Sequence, residues 1–116
     1  AYEALLPQRL DLLVLGLGDD GHTASLFPEA APLAETRRRV LAVRAPRPPV
    51  DRLTITPPVI RVARRTIGLV AGANKAAALS RVIDGPYAPV RTPGQLARSG
   101  LWIADRAAAA RLEVRR

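Results

Sequence analysis

The chain has 116 residues, 48% of them hydrophobic, with 18 basic residues against 10 acidic ones and a formal charge of +8. That is apolar material for one modest core and at most one domain. It contains no cysteine, so neither a disulfide framework nor a thiolate metal site can be built. No apolar run approaches the roughly 18–20 residues of a membrane span. No basic-then-apolar leader opens the sequence, and a cytoplasmic protein is the default expectation. The positive charge suits phosphate groups, carried by a small substrate or by nucleic acid. Nucleic acid is disfavoured, because aromatic residues are only 3% of the chain and stacking platforms are scarce. The adjacent arginines at 37–39, 64–65 and 115–116 read more simply as solvated faces, and no helix-turn-helix or zinc-finger pattern is present. Methionine is absent even at position 1, from which we expect a piece of a longer or processed protein.

In chain order, residues 2–6 read as the end of a helix stopped by Pro7. Residues 10–15 form a strand whose unbroken run of Leu and Val at 12–15 predicts burial on both faces. A glycine-rich loop follows, and residues 23–26 are expected to begin a helix. Residues 28–33 are irregular, and 40–43 are a short strand. Residues 45–50 hold Pro46, Pro48 and Pro49 and should run extended, outside any sheet. Residues 52–56 alternate and are rich in β-branched side chains, which predicts a strand. Thr56 is then a plausible N-cap, with Pro57 at the first position of a helix reaching Arg65. Residues 66–71 are a second buried strand, Gly72, Ala73 and Asn74 a turn, and 75–83 a helix. Residues 86–93 are a proline-rich loop, 94–99 a helical turn and 101–104 a last strand. Asp105 should cap an alanine-rich helix to about Leu112. Strands alternating with helices predict an α/β fold, Rossmann-like, with a mostly parallel sheet and flanking helices, residues 1–116 forming part of a single domain.

Two stretches carry chemistry. In residues 16–28, three glycines within six positions let the backbone turn sharply and approach a ligand. Asp19, Asp20 and the only histidine, His22, follow. A strand end, a glycine turn and a titratable group are a frequent way to build a site in an α/β protein, although a lone histidine there is also an ordinary structural residue. The second stretch is the turn at Gly72 leading to Lys75. First-turn amides and an ammonium group can converge there on one phosphate. Of the 18 basic residues 17 are arginine, and the single lysine stands at this turn. A compact point charge suits a terminal phosphate.

The string Gly-Leu-Gly-Asp-Asp-Gly-His-Thr-Ala-Ser-Leu-Phe-Pro at 16–28 resembles the signature of the 6-phosphogluconolactonases, a family shared with glucosamine-6-phosphate deaminase. The deaminase branch typically continues Ile-Ala-Phe-Asn-Glu-Pro after the histidine, whereas residues 23–28 follow the lactonase pattern. Residues 69–76 are similar to the family's strand-Gly-x-x-Lys-Ala segment, whose lysine contacts the sugar phosphate. Residues 52–57 are similar to its preceding strand, which often carries an arginine near the phosphate, here Arg52. The likeness runs from about residue 2 to about residue 110. The family's N-terminal Ser-Gly-Gly-Ser/Thr loop and Asp-Glu-Arg segment do not occur, so the resemblance implies the C-terminal half of such a domain. The N-terminal half would then be a partner of this chain.

The resemblance implies hydrolysis of 6-phospho-D-glucono-1,5-lactone to 6-phosphogluconate, in the oxidative pentose phosphate pathway. His22, a side chain of the type that exchanges protons near neutral pH, would take the proton of a water and return it to the leaving ring oxygen. Asp20 would orient the imidazole. Backbone amides between Gly18 and Gly21 would meet the oxyanion. Lys75, with Arg52, would hold the 6-phosphate. No cofactor or metal is called for. A truncated non-catalytic remnant and a deaminase-type sugar-phosphate isomerase are the alternatives.

Overall fold

The computed structural model describes residues 2–113. Its elements are α1 (Tyr2–Leu5), β1 (Leu12–Leu15), β2 (Val40–Arg44), β3 (Asp51–Ile55), α2 (Pro57–Val62), β4 (Arg65–Val70), α3 (Ala76–Ile83) and β5 (Leu101–Ala104), with 3-10 turns at Ala31–Ala34, Ala73–Lys75 and Pro93–Ala97. The mixed α/β architecture expected from the alternating pattern is present. β1, β4 and β5 form a parallel three-stranded sheet in the order β1-β4-β5. Leu15 lies opposite Gly68, and Gly68 opposite Trp102.

β2 and β3 pair antiparallel in a separate ribbon, with Val40 opposite Ile55 and Arg44 opposite Asp51. The proline-rich segment therefore closes a hairpin, with Ala45 donating to the Val50 carbonyl at 2.7 Å. Prolines need no ladder partner in a loop, which lets the strands on either side pair.

One face of the main sheet carries the core. Leu15, Leu26, Ile60, Leu96 and Ala97 form one buried cluster, and Leu17, Val70, Ala78, Leu79, Val82 and Ala108 another, with Trp102 packed against both. Helices α2 and α3 and the turn Pro93–Ala97 thus all lie over this face. The opposite face is bare: Leu12 is 53% exposed, Val14 52%, Leu69 49%, Leu101 61% and Ile103 51%. The expectation that β1 and β4 are buried on both faces is corrected accordingly. An unbroken apolar run gives every side chain the same hydrophobic character, and here only one of its two faces meets helices.

Three local expectations also change. Residues 23–26 make a tight turn rather than a helix start, with Leu26 donating to the Thr23 carbonyl at 3.0 Å and Ala24 at φ +52°. The Thr56 hydroxyl leaves the N-cap role of α2 unfilled and donates to the Arg38 carbonyl at 2.6 Å. Past Asp105 the alanine-rich segment is a series of turns rather than a helix. Arg115 and Arg116 lie outside the described residues. Among the described residues, no helix is long and apolar enough to cross a membrane.

Candidate active site

Both candidate loops leave the C-terminal ends of neighbouring strands, β1 and β4, the edge at which open α/β sheets bind ligands. Gly16, Gly18, His22, Thr23, Ala24 and Lys75 line one cleft of about 290 Å³ between them. The base expected from the first loop and the cation expected from the second therefore share a cavity, although 53 positions separate them in sequence.

The loop after β1 is bonded largely to itself. Gly18 N–H donates to the His22 carbonyl at 2.8 Å, and Gly21 N–H to the Gly18 carbonyl at 3.0 Å. The Thr23 hydroxyl, buried, donates back to the Gly16 carbonyl at 2.8 Å. Asp20 Oδ1 accepts the His22 backbone amide at 2.9 Å and faces the His22 ring nitrogen Nδ1 at 2.6 Å. Burial pushes the Asp20 carboxyl up, but the His22 amide and ring bonds outweigh it and hold the group below its ordinary value. An ionised Asp20 fixes the proton of a neutral imidazole on Nδ1, which leaves Nε2 as the basic nitrogen.

Gly18 makes this arrangement sterically possible. A Cβ there would fall 2.1 Å from His22 Nδ1 and 2.2 Å from Cε1, so the imidazole occupies the space a side chain would fill. Gly21, at φ +92°, adopts a conformation that costs other residues, and its carbonyl accepts the Gly94 amide at 2.9 Å. Gly18 and Gly21 thus shape the loop, and their own amides bond within it rather than face the cleft.

The loop after β4 is fixed from elsewhere. Gly72 N–H donates to both carboxylate oxygens of Asp105, at 3.1 and 3.2 Å, and Asp105 Oδ1 also accepts Ala108 N–H at 2.8 Å. These bonds, from Ala108 and then Gly72, hold the Asp105 carboxyl below its ordinary value. Lys75 N–H closes the turn onto the Gly72 carbonyl at 3.1 Å. The sequence suggested Asp105 only as a helix cap; its hold on a turn 33 positions earlier depends on β4 and β5 being neighbours.

Arg52 does not line the cleft. Its Nε donates to the Pro49 carbonyl at 2.7 Å and its Nη2 to that of Arg47 at 3.2 Å, while the guanidinium lies 5.6 Å from the centre of the Phe27 ring. Phe27 in turn contacts His22, with ring centres 4.7 Å apart and planes inclined at 43°. The sequence offered no signal for Phe27 beyond its place in the string. A larger cavity of about 860 Å³ lies at the opposite, N-terminal ends of the strands, with the bare-face residues Leu12 and Leu101 and three arginines in its wall. It is remote from both loops.

A strand-glycine-histidine loop beside a strand-glycine-lysine turn is the pairing expected from the resemblance of residues 16–28 and 69–76 to the sugar-phosphate lactonase and isomerase class. Residues 1–103 match the family described as glucosamine-6-phosphate isomerases/6-phosphogluconolactonase, and the chain belongs to that family. It is 51% identical over 86 residues to a Drosophila melanogaster protein named "Probable 6-phosphogluconolactonase", covering 70% of this chain and 35% of that one. It is 42% identical over 106 residues to the 6-phosphogluconolactonase of Streptomyces coelicolor, covering 88% of this chain and 40% of the relative. The structure of 6-phosphogluconolactonase from Trypanosoma brucei superposes with a TM-score of 0.77 at 30% identity, over 90% of this chain and 43% of the other. The chain thus spans about two fifths of the length of the relatives it matches.

Proposed function

We propose that this chain carries the general base and the phosphate anchor of a 6-phosphogluconolactonase, which hydrolyses 6-phospho-D-glucono-1,5-lactone to 6-phosphogluconate. The observation that carries the reading is the single cleft lined by both His22 and Lys75. Asp20 holds the Nδ1 proton, so Nε2 accepts a proton from water as the water oxygen bonds to the lactone carbonyl carbon. The tetrahedral intermediate then collapses with cleavage of the bond to the ring oxygen, which takes the proton back from Nε2. The ring opens to a carboxylic acid that ionises in water. The Lys75 ammonium meets the 6-phosphate and holds the carbonyl beside His22, converting binding energy into orientation. Arg52, whose Nε and Nη2 bond the hairpin loop and whose side chain does not line the cleft, leaves that task to Lys75.

The reading includes a partner. The rest of the family domain would lie over the bare apolar face of Leu12, Val14, Leu69, Leu101 and Ile103 and add a wall to the cleft. The test is to express residues 1–116 alone and together with the part of the Streptomyces coelicolor relative that they do not match, and to assay lactone hydrolysis above the spontaneous background. We expect near-background rates and marginal stability for the chain alone, and catalysis on complementation. A folded complex without hydrolysis would favour the non-catalytic remnant. Turnover of glucosamine 6-phosphate would favour the deaminase.

A further inference from the structure

Beyond Asp20, a second group acts on the base. One hydrogen bond to Nδ1 restrains the imidazole but leaves it free to rock about the axis of that bond. The Phe27 ring, only 9% exposed, lies against His22 with centres 4.7 Å apart. Phe27 is itself fixed: the Arg52 guanidinium sits 5.6 Å from its ring centre, and two of the nitrogens of that guanidinium are tied to the Pro49 and Arg47 carbonyls of the hairpin loop. Close by, Ser25 N–H donates to the buried Thr54 hydroxyl at 3.0 Å, a second tie between the histidine loop and β3.

We infer that Phe27 is a positioning residue for His22, and that Arg52 acts through Phe27 to couple the β2–β3 hairpin to the orientation of the base. This rests on the lactonase reading for its kinetic consequence but not for its geometry. A cation on an aromatic face and an aromatic ring against an imidazole are each modest interactions. Their effect here is on orientation, to which a proton transfer is far more sensitive than stability is. The groups around the imidazole are then Asp20 at Nδ1, the Gly18 backbone against which the ring sits, Phe27 with Arg52 behind it, and Lys75 across the cleft.

Because His22 is the only histidine of the chain, 13C-labelled histidine incorporated into this chain alone reports on that one ring, free or in the complemented enzyme. Phe27→Leu keeps apolar bulk and removes the ring, and Phe27→Tyr keeps the ring. We expect Phe27→Leu to shift the His22 imidazole resonances, through loss of the neighbouring ring current, and to lower kcat about tenfold with KM little changed. Phe27→Tyr should restore both, and Arg52→Gln should move the resonances in the same sense by less. Unchanged resonances in Phe27→Leu would overturn the inference. So would equal disturbance by Leu and Tyr, which would make Phe27 mere filling. If the resonances respond as expected while no variant, wild type included, hydrolyses lactone, the lactonase reading fails and the positioning stands.

Discussion

The two loops of the cleft are built in opposite ways. The loop after β1 closes largely on itself: the amides of Gly18, Gly21 and His22, the Thr23 hydroxyl and the Asp20 carboxylate find partners within residues 16–23. The loop after β4 is short and is held by Asp105, which arrives from the end of β5. Hydrogen bonds within the loop suit a group that must keep one orientation through a proton transfer, because they hold the His22 ring nitrogen against Asp20 independently of the second loop. A turn tethered at one amide suits a long cation that only has to meet a charge. The difference predicts that damage to the first loop appears in kcat and damage to the second in KM, and each of the following variants of the complemented enzyme tests that division.

The largest effect is expected from His22→Ala, a loss of roughly 10²–10⁴-fold in kcat with little change in KM, which steady-state kinetics would read. Near-full turnover would remove His22 as the base. Gly18→Ala comes next. Its Cβ would claim the space 2.1 Å from Nδ1, so the imidazole must move, and about a hundredfold loss of kcat is expected without loss of fold by circular dichroism. Lys75→Ala should raise KM for the phosphorylated lactone by about ten- to a hundredfold, the worth of one charge-assisted bond to an anion.

The smallest effect should come from Asp105→Asn, which weakens the tether of the second loop: a few-fold rise in KM at most. Its effect on stability depends on pH. The folded carboxyl lies below its ordinary value, so it stabilises the fold above the unfolded value of about 3.9. That contribution is lost as pH falls through the lowered folded value. Wild type should therefore be more stable than Asp105→Asn at neutral pH, and the gap should close in acid. A gap that is constant with pH in denaturant titrations would mean that the charge of Asp105 plays no part.

What the sequence made legible follows the same division. The first loop was readable because most of what shapes it lies within a few residues, and even the pairing of Asp20 with His22 is a contact at a spacing of two. Lys75 was readable as the single lysine on a glycine turn. The partners of the second loop were not, since the reach of Asp105 to Gly72 appears only once β4 and β5 are neighbours. The β2–β3 hairpin was hidden by its prolines, which mark a break without saying that the flanking strands return to pair. The bare face was hidden because Leu12 and Val14 are as apolar as Leu13 and Leu15, and what covers a strand is decided by other elements. Phe27 was hidden because its contact with His22 depends on the tight turn at residues 23–26, and its contact with Arg52 lies across the fold.

The central claim, a base on one loop and a phosphate anchor on the other, is tested most directly by kcat/KM for wild type, His22→Ala and Lys75→Ala on the phosphorylated lactone and on unphosphorylated gluconolactone. The account predicts that His22→Ala loses about the same factor on both substrates, and that Lys75→Ala loses its factor on the phosphorylated lactone alone. Equal losses on both substrates for Lys75→Ala would contradict it.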